Sequence, residues 1–321
     1  GCTEALFTLG ERPEQRYSEA KQWLNTHGYN STLEYLAEMC KLVVSETGLI
    51  PHVNPGTMTR KEMSELRPYC ASMGIMLESS SIQLHEPGGA HHGTTTKLPQ
   101  QRVATLETAA GLGMAMTTGI LIGIGETSED RIDSLLMIRD LQQRFGNIQE
   151  VIVQNFRAKD STRMRLAREP STIEMLRTLA IARLLLGPTM NIQAPPNLNL
   201  LEYRSYLSCG INDWGGVSPL TKDFINPEAP WPHLEILEDA TKAAGRILMQ
   251  RLAIGPRYAL AARDWAAPAI ATQILRAIDG RGLPKVDEWS AGHGDPAPDT
   301  MVDPRKSVKV KGEDYELRDG S

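Results

Sequence analysis

Residues 119–126 read Gly-Ile-Leu-Ile-Gly-Ile-Gly-Glu: an apolar run, two closely spaced glycines, then a carboxylate. An apolar run bounded by a glycine turn is the pattern of a buried parallel strand. Gly123 and Gly125 let the backbone turn sharply and pass close to a ligand. Ser128, Glu129 and Asp130 then open a helix over 130–144, with Leu135, Leu136, Ile138 and Leu141 at roughly helical spacing. A strand, a glycine turn and a helix N-terminus together form a seat for a flat adenine ring or an anionic group. Further polar residues stand at the ends of other apolar runs: Glu11, Asn54, Glu78, Gln154, Asn155, Arg157, Asn212 and Asp213. If the strands are parallel around a ring, these side chains share one mouth with Glu126. Taken singly, each has a structural alternative. Glu126 caps its helix, where a carboxylate favours the dipole; Glu78 pairs with an arginine such as Arg102; Asn155 is a satisfied turn amide.

The elements that must position these residues alternate from the start of the chain. Strands are expected over 4–9, 49–53, 72–77, 116–123, 150–156, 191–194 and 210–214, with helices over 32–46, from Thr59 onward, 100–112, 130–144 and 173–186. Thr59 and Glu62 have capping-box spacing. Such alternation implies parallel strands joined by crossover helices. Seven strands are one short of a closed eight-stranded barrel, and the shortfall is at the front, where the chain opens directly in a strand. The expected fold is therefore an α/β barrel of the TIM type lacking its first βα unit, residues 1–224; an open doubly wound sheet is the second reading. Residues 225–283 form a helical extension, with breaks expected at Pro256 and Pro268. Residues 284–321, rich in proline, glycine and charge, read as a linker or flexible tail.

The chain has 321 residues, 41% hydrophobic and 23% charged, as in an ordinary globular protein. Its formal net charge of -5, without basic blocks, points away from nucleic acid, and no apolar run is long enough to span a bilayer. Cys2, Cys40, Cys70 and Cys209 are too scattered for metal-ligand spacing. Cys40 is expected as a buried thiol, and the scatter fits a reducing cytoplasm. Adjacent His91 and His92, in a glycine-rich loop after the Glu78 strand, point in different directions, which argues against a two-histidine metal site. The loop either contacts substrate or is simply solvated.

Together these segments resemble the radical S-adenosylmethionine (SAM) superfamily. Gly10-Glu11 is similar to the Gly-Glu pair that ends its second strand, which implies that Glu11 holds the SAM amino group. Gly119, Leu121, Gly123 and Glu126 match its fifth-strand signature Gly-x-Ile-x-Gly-x-x-Glu, with leucine for isoleucine, which implies a strand flanking the adenine. Leu77-Glu78-Ser79 resembles the fourth-strand acid of the biotin-synthase branch, so Glu78 is carried over to the ribose hydroxyls. Four segments, 4–14, 72–79, 149–158 and 210–216, narrow the resemblance to the deazaflavin (FO) synthase family, in its CofG-type subunit or domain.

That resemblance implies a lyase of coenzyme F-420 biosynthesis using SAM and a 4Fe-4S cluster. A 5'-deoxyadenosyl radical would abstract hydrogen from the tyrosine adduct of 5-amino-6-(D-ribitylamino)uracil. Ring closure with loss of ammonia then gives 7,8-didemethyl-8-hydroxy-5-deazariboflavin. It also implies a CofH-type partner subunit or fused domain, a reducing electron donor and a cytoplasmic location. Glu11, Glu78, Gly119, Gly123 and Glu126 are the expected SAM contacts; Asn54, Gln154, Asn155, Arg157, Asn212 and Asp213 are expected on SAM or on the uracil and ribityl groups. The family's Cys-x-x-x-Cys-x-x-Cys cluster loop does not occur in this sequence. It is expected upstream of Gly1, and the chain as given is expected to be an inactive fragment; a degenerate homologue is the other reading. Two alternatives stand beside this one: a sibling radical SAM enzyme of menaquinone or biotin synthesis, and a cluster-free barrel that binds a nucleoside-like ligand.

Overall fold

The structure, a computed structural model, describes residues 3–218 and 220–285. Six strands form one sheet: β1 (Glu4–Thr8), β2 (Ile50–Asn54), β3 (Ser72–Gly74), β4 (Met116–Ile122), β5 (Ile148–Asn155) and β6 (Ile192–Gln193). They lie in sequence order and every adjacent pair is parallel. Sequential parallel order is the signature of a barrel wall and excludes the strand reversal of a doubly wound sheet. The expected strand over 210–214 contracts to a single bridge from Gln193 to Asp213. The expected strand over 72–77 ends at Gly74, because the Thr118 hydroxyl accepts from the Leu77 N–H where a ladder carbonyl would stand.

Helices α1 (Ser18–Thr26), α2 (Thr32–Glu46), α3 (Arg60–Leu66), α4 (Pro99–Ala110), α5 (Ser128–Phe145) and α6 (Thr172–Leu186) fill the crossovers. The Thr59/Glu62 capping box is present, and α5 is opened by a second one, Thr127 with Asp130. Val53, Met73, Ile75, Leu77, Ile120, Ile122, Val151 and Val153 share one buried core with helical residues such as Leu36, Leu66, Leu106, Ile138 and Leu179. Cys40 and Cys70 lie in the same core. Because side chains alternate along a strand, His52, Asn54, Ser72, Gly74, Thr117, Gly119, Leu121, Glu150, Ile152 and Gln154 must face the other way, into the lumen. Gly119 is demanded by close packing there: a Cβ on it would lie 2.1 Å from the Ile152 carbonyl oxygen on β5.

The helical extension departs from expectation in one respect. Pro256 and Pro268 do not break helices but open them, at the first position of α8 (Pro256–Leu260) and of α10 (Pro268–Ala277), where the missing N–H costs nothing. With α7 (Leu234–Ala243) and α9 (Ala262–Trp265) between and before them, they leave 246–255 non-helical. That segment plugs the barrel at the strand starts. Leu252 and Ile254 share a second core with Ile50, Ala71, Ala115 and Ile270. The chain divides at Pro284, and Lys285–Ser321 is a second unit. The linker expected over 284–321 falls, from 286 on, outside the described residues. No described helix is long and apolar enough to cross a membrane.

Ile254 is fully buried in this plug. Ile254→Ala should lower unfolding free energy by about 2–5 kcal/mol, the usual cost of a large-to-small change in a sealed core, as read by denaturant unfolding.

Candidate active site

The C-terminal ends of the strands assemble one charged cluster. Arg102 on α4 is only 4% exposed and lies between two carboxylates: its Nη2 is 3.5 Å from Glu11 Oε2 and its Nη1 is 3.9 Å from Glu78 Oε1. Nη1 also donates to the Met76 carbonyl at 2.5 Å, while Nε, likewise buried, has no partner. Lys97 closes on Glu78 from the other side. Burial alone would raise the Glu78 pKa, but the charges of Lys97 and Arg102 and the Lys97 hydrogen bond hold it below the usual carboxylate range.

Glu78 takes this position at a backbone cost. Its φ is +67°, left-handed for a non-glycine residue, and β4 clamps it there: its N–H donates to Gly119 O and its carbonyl accepts from Leu121 N. Strain of this kind persists only where the surroundings over-determine it, and it is common at functional sites. Glu11 is held by Thr57, whose N–H donates to Oε1 at 2.7 Å and whose hydroxyl also bonds to it. Gly56 makes room for that carboxylate, since a Cβ there would lie 2.4 Å from Glu11 Cδ. Asn54 and Gln154 face the same lumen, one residue from the end or at the end of their strands.

Other expected residues do not join this cluster. Glu126 turns back on its own loop: it accepts from the N–H groups of Gly123 (2.7 Å) and Ile124 (2.8 Å) and pairs with Arg131 at 2.7 Å. Its carboxylate is 1% exposed and satisfied, so it shapes the glycine turn rather than facing the lumen. Gly123 has φ +91° and abuts Pro170, so the turn tolerates no side chain. Asn155 donates to Leu198 O at 3.2 Å and keeps a buried, unpartnered Oδ1; Arg157 reaches the same carbonyl and Glu169. Both are strapped to the outside of the rim. Asn212 accepts from Ile192 N and Arg183.

Asp213 lies at the opposite end of the barrel, on the floor. It pairs with Arg251 at 2.5 Å, and Arg251 also reaches Glu150 at 2.7 Å. One guanidinium thus faces two direct carboxylates, with Glu4 nearby, and cannot neutralise all three. Burial would raise Asp213 too, but Arg251 holds it low; burial pushes Glu150 up to about 7 and raises Glu4. Sequence reasoning assigned Asp213 to the mouth from its place after a short apolar run, and nothing in that run marks which end of the ring it serves.

Lys97 and the floor residues Glu150 and Arg251 escaped sequence reasoning, being single charges with no motif around them. The Glu78–Arg102 pairing was anticipated. His91 and His92 do diverge. His91 is buried with an unpartnered Nδ1, and burial drops it to about 4; His92 meets the His85 carbonyl. The loop that carries them is tied back by the His91 N–H on Leu84 O. A groove of about 560 Å³ between α4 and α5, lined by residues such as Val103, Leu136 and Arg144, lies on the helical side, away from the mouth.

The mouth suits an amino-bearing nucleoside such as SAM: two carboxylates, for an ammonium and for hydroxyls, held by one buried guanidinium. Among the described residues, the thiols do not suit an iron–sulfur cluster. Cys40 and Cys70 are sealed in the helix-side core, where their mutual hydrogen bond and burial push the Cys70 thiol up, and Cys209 ends the turn Tyr203–Cys209. No group of three candidate metal ligands occurs among the described residues.

Two solved structures share this fold. The FeFe-hydrogenase maturase HydG from Carboxydothermus hydrogenoformans superposes with a TM-score of 0.56 at 20% identity, over 76% of this chain and 55% of that one. Methylornithine synthase (PylB) gives 0.52 at 19% identity, over 76% and 67%. No family model matches the chain. Among curated proteins, the 7,8-didemethyl-8-hydroxy-5-deazariboflavin synthase of Methanopyrus kandleri is 48% identical over 283 residues, 88% of this chain and 84% of the relative. The FO synthase of Nocardia farcinica is 48% identical over 91% of this chain and 34% of its own length; that of Mycobacterium leprae is 49% identical over 87% and 33%. The chain therefore spans about a third of the length of these FO synthases and most of the Methanopyrus kandleri protein. It belongs to the 7,8-didemethyl-8-hydroxy-5-deazariboflavin (FO) synthase family of enzymes.

Two outcomes follow from the geometry. Glu126→Gln removes a charged acceptor from two N–H groups and Arg131, and should cost about 2–3 kcal/mol of stability, measured by denaturant unfolding. Glu150, with its pKa raised in the folded state from 4.5 to about 7, contributes stability fully present below pH 4.5 and lost as pH rises to 7. Glu150→Gln should flatten that part of a melting-temperature-against-pH curve.

Proposed function

We propose that this chain is the CofG-type barrel of an FO synthase, acting as a lyase in coenzyme F-420 biosynthesis. The observation that carries the reading is the Glu11–Arg102–Glu78 cluster at the strand ends of a radical SAM barrel, in a chain 48% identical to a named deazaflavin synthase. The relatives carry that name rather than one from menaquinone or biotin synthesis, which disfavours the sibling enzymes and the non-catalytic binder.

In this reading Glu11 receives the ammonium of SAM and Glu78 the ribose hydroxyls, with the buried Arg102 holding both carboxylates in place. Gly119, and the Gly123–Gly125 turn that Glu126 holds in shape, border the adenine. When bound and reduced by one electron from the donor, with methionine leaving, SAM would supply the radical chemistry that takes hydrogen from the tyrosine adduct of 5-amino-6-(D-ribitylamino)uracil, before ring closure with loss of ammonia. The chain's own part is to bind, orient and exclude water: the floor plug and the lumen wall keep the reacting centre dry. Asn54 and Gln154 are assigned to the polar substrate. Asn155, Arg157, Asn212 and Asp213 are assigned to the scaffold of the rim and floor. The 4Fe-4S cluster is assigned to ligands outside the described residues. A CofH-type subunit or fused domain, an electron donor and a cytoplasmic location complete the proposal.

The test is anaerobic assay of the full-length enzyme with its CofH-type partner, SAM, tyrosine and 5-amino-6-(D-ribitylamino)uracil, followed by deazaflavin fluorescence. Glu78→Gln should weaken SAM binding at least about tenfold, the effect of one charge-assisted hydrogen bond, with the fold intact by circular dichroism. Unchanged SAM affinity in that variant would refute the assignment of the mouth.

A further inference from the structure

We infer that the Nε2 nitrogen of His52 accepts a hydrogen bond from a ring N–H of the substrate, and that His52 and the Asn54 amide together read a lactam or imide edge on the lumen wall. The inference rests on the FO synthase reading, whose uracil carries such an edge, and deepens it by naming the residues that read it.

The argument begins with strand parity. Val53 is sealed in the helix-side core, so His52 and Asn54, its neighbours on β2, face the lumen. Gly74 lies on the adjacent strand β3 with the same facing. A Cβ at Gly74 would sit 3.1 Å from His52 Nε2 and 3.4 Å from Asn54 Cγ. The absent side chain therefore leaves a notch bordered by one imidazole nitrogen and one primary amide.

The tautomer of His52 is fixed by a chain of hydrogen bonds reaching the floor. Ser72 donates its single hydroxyl proton to the Ala253 carbonyl of the plug, an oxygen that can only accept. The Ser72 oxygen stands 2.7 Å from His52 Nδ1. With its proton committed to Ala253, Ser72 can only accept from that nitrogen, so Nδ1 carries the hydrogen. Neutral imidazole has one N–H, and Nε2 is left as a bare lone pair beside the notch. No protein group bonds to it among the described residues. Burial first, and then the positive charge of Arg251, lower the imidazole pKa to about 4, so the acceptor persists through neutral pH. Asn54, with a donor and an acceptor and no side-chain hydrogen bond among the described residues, complements a C=O or an N–H beside it. An N–H flanked by carbonyls is the edge of a pyrimidinedione.

The test uses the full-length enzyme and two probes, the tyrosine adduct of 5-amino-6-(D-ribitylamino)uracil and its N3-methyl analogue, in equilibrium binding. Wild type should prefer the N–H probe by about tenfold, one hydrogen bond's worth. His52→Asn retains an N–H toward Ser72 but has no atom at the Nε2 position, and should lose that preference while keeping the melting temperature near wild type. Nitrogen-15 NMR of the histidine-labelled enzyme should show His52 Nδ1 as the protonated, pyrrole-type nitrogen and Nε2 as pyridine-type; in Ser72→Ala this single-tautomer signature should weaken. Undiminished discrimination in His52→Asn, or a proton on Nε2 in wild type, would overturn the inference and leave the FO synthase reading standing. Failure of wild type to bind the N–H probe at all would overturn that reading, and this one with it.

Discussion

The guanidinium of Arg251 is the tie on which the rest of the barrel depends. It enters the floor from a non-helical segment of the extension and joins Asp213, beyond β6, to Glu150 on β5. The segment that follows Asp213 comes back toward β1, where a Cβ on Gly216 would lie 3.4 Å from Leu6 and 3.8 Å from Glu4. An arc of six parallel strands has two open edges, and this arrangement draws them toward each other at the strand starts. Removing either partner of such a buried pair leaves an uncompensated charge, which is far costlier than the pair is stabilising. Here the surplus of carboxylate, buried beside one guanidinium, raises the pKa values of Glu150 and Glu4.

The floor also governs the lumen. Ala253, two residues from Arg251, presents its carbonyl to Ser72 and to Gln149. Gln149 can reach it because the β4–β5 register slips by one residue between Met116 and Thr117, a bulge that re-aims a side chain. Through Ser72 the same carbonyl orders His52. At the other end, Arg102 plays the corresponding part, holding two carboxylates from different strands within reach of one guanidinium. The molecule thus has a charged cluster at each end of the lumen.

Much of this was legible in the sequence. Helix α2 has the predicted bounds, the Thr59/Glu62 capping box is formed, and all six strands fall within predicted runs to within a few residues. These features are local: an apolar period or a cap is decided by residues a few positions apart. Glu11 and Glu78 were legible because each closes an apolar run at a glycine or a polar turn. Glu126 stood out for the same reason yet faces its own backbone, since two free N–H groups at a glycine turn compete successfully for any nearby carboxylate. Pro256 and Pro268 looked like breaks because proline ends a helix interior and opens a helix start equally well, and only packing tells which.

The sequence by itself determined the alternation of strand and helix, and with it the parallel wall and the face of each strand that is apolar. It also determined family membership, because motif spacing survives without coordinates. Only the tertiary structure decided which charges meet. Asp213 could have belonged to the mouth or the floor, and its level in the ring was settled by Arg251, 38 residues further on. Likewise the single proton on His52 is placed by a carbonyl about two hundred residues away along the chain, at Ala253. The reason is physical: periodicity fixes the direction of a side chain relative to its own strand, while electrostatics and hydrogen bonding act through space between segments whose separation in sequence carries no trace of their contact.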